Sequence, residues 1–385
     1  MATDTQAATR HRQIVAFFTL LMMAISWPIW FESPAIPHFP AFGLKAAPEI
    51  SRGLSLACVG GLGLCLTRHF GRIGSLVILF SGIPLVLLDQ QRLQAWFYQA
   101  LVLSAIYAAL PASSAIGFAR FFAVALYFHS ALSKLDWSFA HSMGPYLLSP
   151  FTKLLQIPAN SPIIPKLATA LPIGELLLTL LLVAGYFRAG RVGIIAMHLG
   201  LVALLGPWAL DHSANVLLWN VSMIIQTIVL FRTESAPRQA MAPHPLLLGM
   251  VQLLMMIVAI LPFFERAGLC DAWPAFALYA GHVEQMRLEF PGDSGDLIPP
   301  ELRPYLNRTE AMQVPDLTLW ARDAMGTPTY PAARIQRQFA RYFAEKCPPE
   351  QPVRAIFLGK AHWLTGRRQE TIMPDRQTIL DSISK

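Results

Sequence analysis

Lys134 closes a long apolar run, in the stretch Tyr127-Phe128-His129-Ser130-Ala131-Leu132-Ser133-Lys134-Leu135-Asp136-Trp137. An amine, a carboxylate and an indole thus meet where a hydrophobic helix would leave a bilayer. On a helix, Tyr127, Ser130 and Lys134 fall at i, i+3 and i+7 and share one face. Ionisable side chains at that depth are costly and usually face a cavity or a partner. The plain alternative is that Lys134 snorkels to the surface and Trp137 joins an interfacial aromatic belt.

Glu175, His198, Asn220 and Gln226 also interrupt apolar runs. Glu175 follows Pro172 and Gly174, which loosen a helix locally and allow it to present a carboxylate. Lys134 and Glu175 sit at similar depth on neighbouring apolar runs, so an ion pair between them is expected, each being otherwise buried unpaired. His198 and Asn220 have a simpler use as inter-helical hydrogen-bond partners.

The elements that must position these groups are apolar helices. The chain has 385 residues, of which 54% are hydrophobic and 14% charged, too apolar for an ordinary soluble domain. Apolar runs occur at 14–31, 53–67, 73–88, 95–110, 117–134, 167–186, 192–210, 214–231 and 246–262. Several are shorter than the ~20 residues of a spanning helix. The pair at 53–67 and 73–88 is the weakest and could be re-entrant. A signal peptide ending near Ala24-Ile25-Ser26 is an alternative for the first run, but that run continues to Phe31, long enough to span.

From Glu265 onward, fifteen basic and fifteen acidic residues cancel, so the net +7 belongs to the first 264 residues. There the basic residues flank apolar runs, which argues against nucleic-acid binding. Nine spans with the N-terminus inside put Arg10, Arg12, Arg68, Arg72, Arg120, Arg188, Arg191, Arg232 and Arg238 on the inner side. Lys45, Arg52, Arg92, Lys134, Lys153 and Lys166 fall outside, so the positive-inside rule favours N-in and C-out. The expected fold is an all-α polytopic membrane bundle. It comprises a cytoplasmic segment 1–13, a helix bundle 14–262 and a small extracytoplasmic α+β appendage 263–385. The bilayer is the expected partner, and a bacterial inner (plasma) membrane the expected location.

In the appendage, 275–281, 285–290 and 353–358 read as strands, and Pro291-Gly292-Asp293 as a turn. Helices are expected at 315–325 and 331–345, with Pro331 in the first turn of the second. Arg334, Arg337 and Arg341 form a basic stripe on that second helix. Cys270 and Cys347 could pair if this region is extracytoplasmic. Asn307-Arg308-Thr309 matches a glycosylation sequon. No metal-binding cysteine spacing, Gly-rich phosphate loop or internal repeat occurs.

Tyr127-Phe128, Lys134-Leu135-Asp136-Trp137, Ser142-Met143 and Leu148-Ser149-Pro150-Phe151 follow one another in order. This series resembles the vitamin K-dependent γ-carboxylase family and the wider horizontally transferred transmembrane (HTTM) group. The likeness continues through Glu175, Tyr186-Phe187-Arg188 and His198, and covers roughly residues 75–231. It implies that Lys134 stands where that family has the base of hydroquinone-driven carboxylation. Glu175 and His198 would lie nearby as catalytic partners. Burial disfavours an ammonium ion in general, and a neutral amine can take a proton. A quinol headgroup would enter from the membrane, with Arg92, Tyr127 or His129 on its ring oxygens and Asp136, Trp137 and Asn220 lining the approach. A quinone or hydroquinone is the cofactor this implies. The other reading is a non-catalytic membrane scaffold or partner-binding protein in which Lys134–Glu175 is structural.

Overall fold

Each of the nine apolar runs forms a helix, but not all nine have the length of a span. A computed structural model describes residues 4–33, 36–232, 242–292, 294–308 and 312–382. Glu234, Arg238, Asp293 and Thr309 lie outside the described residues. The helices are α1 (Asp4–Ile25), α2 (Trp27–Trp30), α3 (Pro48–Leu66), α4 (Gly71–Leu88), α5 (Ala95–Ala109) and α6 (Ala112–Ser133). After them come α7 (Gly144–Leu154), α8 (Ile163–Val183), α9 (Phe187–Leu205), α10 (Ala214–Leu230) and α11 (Pro245–Ile260).

Among the described residues, six helices are long and apolar enough to cross a membrane: α3, α4, α6, α8, α9 and the continuous segment Pro245–Phe264. Of the other three, α1, α5 and α10, the most enclosed is α5. α5 has 15 residues and α10 has 17. α1 has the length but carries Asp4, Arg10 and Arg12 in its first half. At ~1.5 Å per residue, α5 covers only about three-quarters of a ~30 Å hydrocarbon layer. It is buried along almost its whole length, so other helices replace lipid as its solvent. α1 begins at Asp4, ten residues before the apolar run, and buries Ala7, Ala8 and His11 against its neighbours.

The weakest pair of runs in the sequence gives the closest helix hairpin. Gly74 sits so near the backbone of α3 that an added Cβ would lie 2.5 Å from the Gly61 carbonyl oxygen. Small residues at facing positions let two backbones approach, the usual way apolar helices pack where water exclusion offers nothing.

Beyond Phe264 the chain forms a five-stranded antiparallel sheet in the order β2-β3-β1-β4-β5. Its strands are β1 (Gln285–Pro291), β2 (Leu306–Arg308), β3 (Met312–Pro315), β4 (Arg354–Leu358) and β5 (Glu370–Met373). Three helices pack with it: α12 (Leu317–Met325), α13 (Ala333–Lys346) and the short α14 (Arg376–Asp381). β1 and β4 fall where the alternation pointed. The expected strand at 275–281 is instead a series of turns. Phe276 and Tyr279 there have φ of 58° and 56°, outside the strand region, and Phe276 packs between Tyr98 of α5 and Phe122 of α6. Pro331 lies ahead of α13, which starts at Ala333 with Ala332 as its N-cap. Arg334 of the basic stripe is paired with Asp271 rather than simply solvated.

All four cysteines are free, so Cys270 and Cys347 do not pair. Cys347 donates to the Phe343 carbonyl at 3.2 Å, and burial pushes both thiols up to about 11.

The appendage is seated on the bundle through close backbone approach at Gly326. This glycine ends α12 at φ 68°, and a Cβ there would lie 2.4 Å from the Ile25 carbonyl oxygen. Gly326→Ala is expected to cost about 1–3 kcal/mol through strain and displacement. Thermal unfolding in detergent should show it as a lowered midpoint, whereas Gly359→Ala, with no contact closer than 3.5 Å, should be near neutral.

Candidate functional site

Lys134 is placed by the end of α6. Its backbone N–H bonds back to the Ala131 carbonyl at 3.1 Å, stopping the helix, while its side chain returns along the same face. Nζ donates to Ser130 Oγ at 2.8 Å and meets Glu175 Oε2 at 2.8 Å. The two side chains are 12% and 10% exposed. Glu175 comes from α8, where Pro172 removes one backbone donor and Thr179 Oγ1 donates to the Glu175 carbonyl at 2.8 Å. Both features bend a helix, and they flank the carboxylate.

Along the same face of α6, Tyr127 enters a second network with α9 and α10. Asn220 Nδ2 donates to the Val216 carbonyl at 2.8 Å, which leaves Oδ1 to accept from His198 Nδ1 at 2.8 Å. In the neutral ring His198 Nε2 then accepts, and the Tyr127 hydroxyl donates to it at 3.0 Å. Thr227 Oγ1, 3.2 Å away, donates to the phenol oxygen. In a neutral imidazole this pattern puts the His198 proton on Nδ1.

The remaining candidates lie elsewhere. His129 Nε2 bonds the Ala259 carbonyl at 3.0 Å and its ring meets Phe263 edge-on, so it serves the contact with α11. Arg92 is fully buried and donates to the carbonyls of Ile29 at 2.8 Å and Leu85 at 3.3 Å. Its partners belong to α2 and α4, with Glu32 at 3.8 Å, and not to α6 or α8.

Asp136 and Trp137 turn away from Lys134 into the junction with the appendage. Asp136 Oδ1 accepts from the Phe139 N–H at 2.6 Å, and Oδ2 accepts from Arg266 Nη2 at 2.7 Å. His282, 1% exposed, places Nδ1 2.8 Å from Asp136 Oδ2 and Nε2 2.9 Å from Glu265 Oε2. Lys360 pairs with the other oxygen of Glu265 at 2.8 Å. An imidazole can bond two carboxylates only when both nitrogens carry protons, so His282 is an imidazolium here. Burial opposes that charge, but the bonds to Asp136 and Glu265 outweigh it and hold His282 above the ordinary 6.5. Burial likewise opposes the two carboxylates. The His282 bond, aided by Phe139 and Arg266, holds Asp136 below its ordinary 3.8, and His282 with Lys360 holds Glu265 below 4.5. Trp137 stacks on His141 at 4.3 Å between ring centres.

Sequence reasoning missed Glu265 and His282, because Glu265 falls at the boundary of bundle and appendage and His282 between the strands expected at 275–281 and 285–290. It also missed a buried network at the centre of the bundle. Gln226 Nε2 donates to Ser222 Oγ at 2.9 Å, so its Oε1 accepts from Gln99 at 3.0 Å and from His11 Nε2 at 3.1 Å. His11 Nδ1 then accepts from the Tyr107 hydroxyl at 2.6 Å. A helical start at Asp4 is the signal that would have found it. Among the described residues no group of three histidine, cysteine or carboxylate side chains is placed to hold a metal ion.

No protein-family model, curated protein or solved structure matches this chain.

Proposed function

We propose that this is an integral membrane protein in which Lys134 and Glu175 form a proton-handling site for the polar headgroup of a lipid-soluble small molecule, a quinol being the best fit. The observation that carries the reading is the Lys134–Glu175 pair itself. It joins α6 to α8 just short of a helix end, and neither side chain is fully enclosed. α8 has one of the least enclosed apolar faces, exposing Leu171, Ile173, Leu177 and Leu180. In a bilayer that face would be lipid, and a headgroup could reach the pair sideways. Passing one proton from Nζ to the carboxylate leaves a neutral amine beside a neutral acid, a base and an acid in hydrogen-bond contact. Tyr127 and His198 supply a hydroxyl and an imidazole nearby. The resemblance to the HTTM group agrees with this use of the lysine. The positive-inside count supports N-in/C-out insertion, proposed as nine spans in a bacterial inner (plasma) membrane with the appendage extracytoplasmic.

The test is quinone binding by purified protein in nanodiscs. Wild type is expected to bind, and both Lys134→Ala and the folded Lys134→Met/Glu175→Leu variant to lose binding. Undiminished affinity in the double variant would remove the lysine from the site.

A second reading, a non-catalytic membrane scaffold, is favoured by the partners that Lys134, Tyr127, His198 and Asn220 already have in the protein. It expects no quinone binding by wild type and an appendage that captures the partner.

A further inference from the structure

The connection between β4 and β5 is longer than a hairpin needs. Leu358 pairs with Glu370, so residues 359–369 project beyond the sheet. The arms of this loop are braced. Lys360 pairs with Glu265, and Arg368 donates to the carbonyls of Val283 and Gly359, both at 2.8 Å. The tip closes on itself through the Gly366 N–H to the His362 carbonyl at 2.8 Å. At that tip Trp363 and Leu364 are 55% and 67% exposed, although the loop around them is held in place.

The place where the tip is tied matters most. Trp363 Nε1 donates to the Leu135 carbonyl at 2.6 Å, and the Trp137 N–H donates to the Trp363 carbonyl at 3.0 Å. Gly366, at φ 65°, lies flat on the Trp137 ring, where a Cβ would come within 2.0 Å of a ring carbon. The tip is thereby fixed to the end of α6, three residues beyond outward-facing Leu132, on a helix whose Phe128 and His129 pack against exposed Phe263. Arg367, the next residue after Gly366, is exposed.

We infer that the Trp363–Leu364 hairpin tip is a membrane-interface anchor, seated in the same leaflet that α6 enters at Lys134. An indole and a leucine on a rigid turn, followed by an arginine, match the boundary between acyl chains and headgroups. Aqueous exposure of the same pair on a braced loop would leave apolar area uncovered for no gain. Trp363 has its N–H satisfied by protein, so its ring enters the boundary without an unpaired donor. The anchor rests on the membrane reading of the helices and is independent of what Lys134 binds.

The experiment is site-directed fluorescence in nanodiscs of zwitterionic lipid, with an environment-sensitive dye on Leu364→Cys. The four native cysteines are buried, so the introduced thiol is the reactive one. Leu177→Cys, on the exposed face of α8, is the lipid reference, and Glu350→Cys, exposed before β4, is the aqueous reference. The expected result is blue-shifted emission at 364, quenched several-fold more by nitroxide lipids than by aqueous iodide. Emission at 364 like that at 350, with 177 lipid-quenched, would overturn the anchor and leave the membrane reading standing. Aqueous behaviour at 177 as well would overturn both.

Discussion

Lys134→Met is expected to destabilise the protein by about 3–5 kcal/mol, and Glu175→Leu by a similar amount, whereas the double variant should regain most of the loss. Each single change leaves one ion at membrane depth facing an apolar side chain. The survivor must neutralise, recruit water or pull the helix end outward, and all three cost free energy. With both charges gone, methionine and leucine fill similar volume without any desolvation penalty. Ser130 loses its partner but can turn its hydroxyl to a carbonyl of its own helix. Unfolding midpoints of the four proteins in one detergent give the coupling directly. Full stability in both single variants would show that the 2.8 Å pair contributes nothing.

Raising the pH should loosen the junction of appendage and bundle before it unfolds the bundle. His282 has a raised folded-state value, so its contribution is fully present below 6.5 and is lost as pH climbs through that folded value. A neutral imidazole donates once, so either Asp136 or Glu265 then faces a nitrogen lone pair. Arg266, Lys360 and Arg368 are the basic side chains that face the cluster. Asp136 and Glu265 behave oppositely, because their lowered values give stability that is present above 3.8 and 4.5 and disappears on acidification. The junction should therefore be firmest between those limits. Against a pH series from about 5 to about 9, His282→Gln should flatten the alkaline fall and cost about 1–3 kcal/mol at the acid end. Proteolysis of the appendage is a suitable readout. An identical alkaline profile in wild type and variant would rule His282 out as the titrating group.

Much of the helical layout was legible because apolar run length is a strong signal and needs no tertiary knowledge. The ion pair was legible for a related reason, since a lone lysine and a lone glutamate in adjacent apolar runs have few other places to go. The spread of the remaining candidates was not. Tyr127 and His129 are two residues apart and face different neighbours, α9–α10 and α11, which only the packing decides. Arg92 looked available to a ligand because sequence cannot show that backbone carbonyls of α2 and α4 already hold it. The appendage was read least well. Its segment 275–281 is apolar enough for a strand, yet Phe276 is spent between two bundle helices, and the short β2, β3 and β5 carry too little pattern to be seen alone.

His11 sets a timetable for making the protein. Its acceptor, Gln226, lies 215 residues further along the chain. At about 5–20 residues per second, that interval is roughly ten to forty seconds of synthesis. Tyr107 can serve Nδ1 earlier, but Nε2 has no permanent partner until α10 arrives bearing Asn220, Ser222, Gln226 and Thr227, too polar to enter lipid comfortably alone. The two helices relieve each other's polarity only on meeting. Assembly therefore leaves His11 Nε2 without its native acceptor until α10 emerges from the ribosome.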